Sequence, residues 1–287
     1  MTEDAAPELT ATEPAPPACL NCGAAVPGHF CGHCGQEAHT HRFTLGHFLH
    51  EIPHTILHVD KGLFYTIKEM TLRPGPALRG FLAGQRIRHF KPLAYVLLVA
   101  GLSAFLYVAL HLHYPSGMAN PDLGPAGRQM QEYVNEGIGK YFNWFTVGSL
   151  PLTALLTWGM LRRAQFNYAE CLVINAYLVG TATLLTVPFY LPYYLVNGTA
   201  GMGQVSVYSA LVLIAYQSWA YASLLVPTGL SVVRRYVRGL LTTVLGWLLL
   251  LLVVAVVVYA LHWPTARESF REMKQHALQV RQAAAHP

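Results

Sequence analysis

The sequence predicts an all-α integral membrane fold: a helical bundle of about five transmembrane helices behind a small metal-stapled N-terminal module and an amphipathic juxtamembrane segment. Three observations predict it. The 287 residues are 53% hydrophobic and only 11% charged, where an average soluble domain carries about 25% charged residues. The charges concentrate before Lys91 and after Arg267, leaving long uncharged runs between. Four cysteines cluster near the N-terminus, ahead of all the apolar runs.

Residues 1–18, "MTEDAAPELTATEPAPPA", are acidic and rich in Pro and Ala. They have no basic stretch followed by an apolar core, so they read as a disordered lead-in rather than a signal peptide.

Residues 19–38 carry Cys19, Cys22, Cys31 and Cys34 as two C-x2-C pairs. A two-residue gap lets both thiolates of a pair reach one ion from a tight turn. Gly23 and Gly35 follow the second cysteine of each pair and supply the backbone freedom such a turn needs. Four thiolates in tetrahedral array suit zinc, and a fully ligated ion has no open position for substrate, so the site reads as structural. His29 and His33 are redundant as ligands beside four cysteines. A disulfide framework is the competing reading, and it loses if the module lies in the reducing cytosol. The pattern Cys19, Cys22, Gly23, Phe30, Cys31, Cys34, Gly35 resembles the short zinc ribbons that open many bacterial membrane proteins. The ribbon offers a rigid surface for a protein partner.

Residues 43–91 form the juxtamembrane segment. Helical spacing puts Phe48, Ile52, Ile56, Val59 and Leu63 on one face and His47, His50, His54 and His58 on the other, with a break at Pro53. The histidine face is either a weakly basic polar surface or a second metal site, with Glu51 or Asp60 assisting. Arg79, Arg86, Arg88 and Lys91 then mix with Leu78, Phe81, Leu82 and Ile87 as a basic approach to the membrane, suited to anionic lipid headgroups.

Residues 92–263 hold the spans. A helix needs about 20 apolar residues to cross the hydrocarbon core. Span one is Pro92–His113; span two is the run 141–161, kinked by Pro151; span three is about Cys171–Leu195. A turn at Val196–Gln204 separates it from span four, about Val205–Leu230, and span five lies between Arg238 and Arg267. The basic groups before span one, after span two (Arg162, Arg163) and after span four (Arg234, Arg235, Arg238) fall on one side if the N-terminus is cytoplasmic. Residues 114–140 form the opposite loop, and 264–287 a tail on that side. These features predict a multi-pass membrane protein, and the resemblance of the cysteine pattern to bacterial zinc ribbons implies the bacterial inner membrane. The +5 net charge sits beside apolar runs, which fits membrane topology and gives no nucleic-acid face.

The succession "HVDKGLFYTI", "TLRPGPALRGFLAGQRIRHFKPLAYVL" and "NYAE" resembles an uncharacterised bacterial family, common in Bacteroidetes-type bacteria, that joins an N-terminal zinc ribbon to a multi-pass membrane domain. The resemblance covers about residues 19–260, and its Arg-Pro-Gly and Gly-Gln-Arg portions are the most specific. It implies architecture and location, with no established activity. The family pattern often has histidines after Tyr-x-Glu; Cys171 and Tyr177 stand in those places here.

Mid-membrane polar residues such as Asn175, Thr181, Gln217 and Ser218 are neutral, which disfavours an ion-coupled transporter. No phosphate loop, nucleophile elbow or H-E-x-x-H occurs. The leading reading is a membrane anchor with a structural zinc ribbon as interaction or regulatory module. A histidine-ligated metal enzyme acting on a lipid-soluble substrate and a small-solute permease are the alternatives, and homo-oligomers are compatible with each.

Overall fold

A computed structural model describes residues 17–38, 40, 42–46, 62–112, 123–199 and 201–285. The histidine face at 47–58 lies outside the described residues. Beyond the cysteine-rich module, the described chain is helical: α1 (Gly62–Leu72), α2 (Pro74–Leu82), α3 (Pro92–Ala109), α4 (Pro125–Gly148), α5 (Leu150–Met160), α6 (Tyr168–Thr186), α7 (Tyr190–Leu195), α8 (Gly201–Leu224), α9 (Val232–Leu261) and α10 (Trp263–Ala285). Short 3-10 turns precede α6, α7 and α9.

Three helical stretches are long and apolar enough to cross a membrane: Pro92–Ala109, Tyr168–Leu195 and Val232–Leu261. Leu150–Met160 is apolar but shorter. α8 is long enough, yet its glutamines and serines keep it out of that set. The chain nevertheless runs back and forth between two ends. α3, α6 and α9 leave the end that carries the cysteine module, and α4–α5 and α8 return to it.

α6 is the central rod. In its apolar window 61% of residues are buried, against 17% for α9, so α6 carries the core and α9 faces outward. A helix apolar all round, with no preferred face, belongs in such a centre. Asn167 and Glu170 start α6 with a reciprocal capping box: Asn167 Oδ1 accepts from the Glu170 N–H and the Glu170 carboxylate from the Asn167 N–H, each at 2.8 Å. Proline sets the other boundaries. Pro92 and Pro125 are the first residues of α3 and α4, where the missing N–H has no partner to lose. The helix break at Ser149 precedes Pro151, and Pro188 turns the end of α6 into a 3-10 segment.

The region read from sequence as a loop and a tail differs. α4 begins at Pro125, and α9 runs on through His262 into α10. These helices pair antiparallel: Tyr133 stacks on His262 with ring centroids 3.8 Å apart, and the Glu272 carboxylate accepts from the Ala126 and Gly127 N–H groups. The spaced charges of α4 and α10 are the polar faces of amphipathic helices, which a charge count alone does not distinguish from a loop.

Candidate functional site: the cysteine module and its seat

The module is two copies of one turn. In each, the first cysteine's N–H donates to a carbonyl five residues on (Ala24 or Gln36), and the following glycine's N–H returns to that cysteine's carbonyl, all at 2.8 Å. Gly23 and Gly35 sit at φ +76° and +77°, the left-handed region that favours glycine. The sulfurs converge. Cys19 and Cys34 Sγ are 3.6 Å apart, Cys22 and Cys31 Sγ 3.5 Å, and all four lie within 4.8 Å of one another. A tetrahedral ion at 2.3 Å from each sulfur sets them about 3.8 Å apart, so this donor set fits one thiophilic ion. The Cys34 thiol is lowered to about 6, chiefly by the Gln36 backbone N–H. Cys22 is raised to about 12: hydrogen bonding to the Ala24 backbone lowers it, and burial together with hydrogen bonds to Cys31, Cys34 and Cys19 outweighs that. Four thiolates this close repel one another, and a bound cation removes the conflict.

The module is seated on the helical body, a feature that sequence reasoning missed. Gln36 is buried, and its side chain is a three-point plug. Nε2 donates to the Gly84 carbonyl at 2.7 Å, and Oε1 accepts from the Arg86 N–H at 3.0 Å and the Ile87 N–H at 3.3 Å. Gly84 has φ +109°, and a Cβ there would stand 2.7 Å from Leu20 Cδ1. The Gly-Gln-Arg stretch is thus the floor on which the module rests. A second contact follows in the linker. Arg42 donates from Nε and Nη2 to the two Glu170 oxygens at 2.6 and 2.8 Å, and from Nη2 to the Gln165 carbonyl at 2.8 Å. Phe43 is buried beside it, stacked on Phe81 with the Arg86 guanidinium 4.0 Å above its ring. Glu170 therefore both caps the central helix and receives the module's linker.

The Arg-Pro-Gly stretch has a comparable meaning. Arg73 pairs with Glu69 at 2.8 Å, Pro74 opens α2, and a Cβ on Gly75 would lie 2.5 Å from the Ser223 carbonyl carbon, so α2 crosses the end of α8 at glycine distance. The basic residues divide. Arg79 donates to the Ser223 and Leu224 carbonyls at the end of α8, and burial lowers its pKa. Arg86 is occupied by Phe43 and the seat, while Arg88 and Lys91 stand exposed.

Residues 60–104 match an uncharacterised family. Its description is "protein of unknown function (DUF3667)", and the matched stretch contains α1, α2, the seat loop and most of α3. No curated protein and no solved structure matches the chain. The similarity therefore falls on the platform beneath the cysteine module and carries no activity with it.

Proposed function

We propose that this chain is a multi-pass protein of the bacterial inner membrane whose N-terminal, cytoplasmic zinc ribbon acts as a regulatory and interaction module clamped to the membrane body. The observation that carries this reading is the seat: Gln36 plugs the Gly84–Ile87 loop, and Arg42 holds the carboxylate at the head of α6. Cys19, Cys22, Cys31 and Cys34 would hold the zinc, which supplies folding free energy to a module too small to bury a core of its own. The position of Gln36 depends on the second cysteine turn, whose Cys31 N–H donates to the Gln36 carbonyl. Zinc loss therefore frees the plug, and the Gly84–Ile87 loop reads the state of the ribbon.

Five crossings agree with a path that alternates between the two ends, with α4–α5 and α8 as the less apolar returns. Arg162, Arg163, Arg234, Arg235 and Arg238 share the ribbon end with Arg88 and Lys91, as the cytoplasmic side requires. Arg88 and Lys91 remain for anionic headgroups; Arg79 and Arg86 serve the protein itself. Phe30, 65% exposed on the ribbon, is apolar surface for a protein partner.

Elemental analysis of the purified full chain tests the ribbon. The expected result is one zinc per chain, lost in Cys31→Ser. Absence of metal from freshly purified wild-type protein refutes it. Impermeant labelling of intact cells tests the sidedness: reaction at Phe30→Lys only after lysis is expected, and reaction in intact cells overturns the orientation.

A further inference from the structure

Among the described residues, a cavity of about 330 Å³ is walled by residues of α3 through α9. Small-molecule sites occupy about 300–1,000 Å³. The wall presents Ser, Thr, Asn, Gln, Tyr and Trp side chains among apolar ones, and no Asp, Glu, Lys, Arg or His. A charged ligand would be desolvated there with no opposite charge to meet it. A purely apolar one would leave the polar wall without new partners.

Most of that wall already has hydrogen bonds. Asn175 binds Thr157 and accepts from Tyr221, both at about 3 Å, and Trp247 Nε1 donates to Gln217 at 3.0 Å. Thr242 donates back to the Arg238 carbonyl at 2.8 Å, the usual resort of a helical threonine. Thr243, the next residue, does not. It is 2% exposed, and its Oγ1 has no hydrogen-bond partner. A buried hydroxyl left unpaired costs about 1–3 kcal/mol. One turn on, Gly246 also lines the cavity, and a Cβ added there meets nothing within 4 Å. Thr243 and Gly246 thus border the cavity one turn apart on α9, with open space at Gly246.

We propose that this cavity binds an uncharged amphiphile, an apolar chain ending in a single hydroxyl or carbonyl oxygen, with that oxygen on Thr243 and the chain along Gly246 and Trp247. The site is separate from the ribbon and does not depend on its metal.

The test uses the full chain in phosphatidylcholine nanodiscs, with tryptophan fluorescence read during titration with 10-bromodecan-1-ol, since bromine quenches tryptophan at contact range. The alcohol should give a saturable quenching component above the linear one from bilayer partition. That component should vanish in Trp247→Phe and in Gly246→Leu, which fills the space. Thr243→Val should weaken it about tenfold, the equivalent of one hydrogen bond. Circular dichroism should show every variant as helical as wild type, and Thr243→Val, which removes the unpaired hydroxyl, should melt no lower than wild type. 10-Bromodecanoate and 1-bromodecane should give the linear component alone. Linear quenching by the alcohol overturns the proposal. So does saturable quenching of equal strength by the carboxylate or the bromoalkane, or an undiminished response in both Gly246→Leu and Thr243→Val.

Discussion

Replacing Gln36 by Leu removes the seat while leaving the cysteine turns intact. The Gln36 side chain makes three hydrogen bonds to the body: to the Gly84 carbonyl, the Arg86 N–H and the Ile87 N–H. At about 1 kcal/mol net for each, the docked state loses about 3 kcal/mol. That shifts the docked-to-undocked equilibrium about a hundredfold. Undocking is the expected response, because a docked leucine would leave the buried Gly84 carbonyl and the part-buried Arg86 and Ile87 N–H groups without partners. Arg42 and Phe43 still tether the linker, so the module stays nearby. Hydrogen exchange of the full chain reads the outcome residue by residue. Arg86 and Ile87 amides, protected in wild type by Gln36 Oε1, should exchange up to about a hundredfold faster in the variant. The Gly23 and Gly35 amides bond within their own turns and should keep their protection. Unchanged exchange at Arg86 and Ile87 would refute the seat. Joint loss at all four amides would show instead that Gln36 holds the module together.

Further outcomes follow from the same contacts. Arg42→Ala deprives a buried carboxylate of its partner and should lower stability by about 1–3 kcal/mol. Arg42→Lys should recover only part, since an ammonium does not reproduce the two-point contact; thermal melts showing full recovery by lysine would contradict this. Gly75→Ala drives a Cβ into the Ser223 backbone and should destabilise by about 1–3 kcal/mol. Gly101→Ala, where nothing lies within 4 Å, should be neutral or stabilise by up to about 1 kcal/mol; equal effects of the two in denaturation would be the wrong result. His89 has its pKa lowered from 6.5, chiefly by burial, against the opposing pull of the Gln85 carbonyl and Glu69. The unfolded chain then takes the proton first, so stability is complete above 6.5 and falls as the pH drops below it. His89→Phe should shrink the loss of melting temperature between about pH 7.5 and 5.5, and an identical loss in the variant would exclude His89 as its source.

The parts of the fold legible in sequence are those set by local rules. The C-x2-C spacing and the glycines behind it place four sulfurs together through turns of a few residues. The uncharged runs give α3, α6 with α7, and α9, and the prolines mark their ends. What stayed hidden depends on contacts between distant residues. Gln36 meets its seat about fifty positions away, and Arg42 meets Glu170 across 128. Arg-Pro-Gly and Gly-Gln-Arg are visible as motifs, but only the crossing at Ser223 and the plug by Gln36 give them a physical meaning. Arg79 reads as a headgroup ligand because sequence shows the charge and not the end of α8 that it meets. The α4–α10 pair is lost to the same cause, since amphipathic helices with spaced charges resemble loops until their partner is known.

The central claim is that metal in the ribbon holds a contact with the membrane body. Spin labels on non-cysteine side chains at the exposed positions His33 and Arg163 measure it directly in the full chain. Zinc-loaded protein should give one narrow distance distribution, and chelation should broaden it. A distribution equally narrow after the metal leaves, or broad while it is bound, would contradict the account.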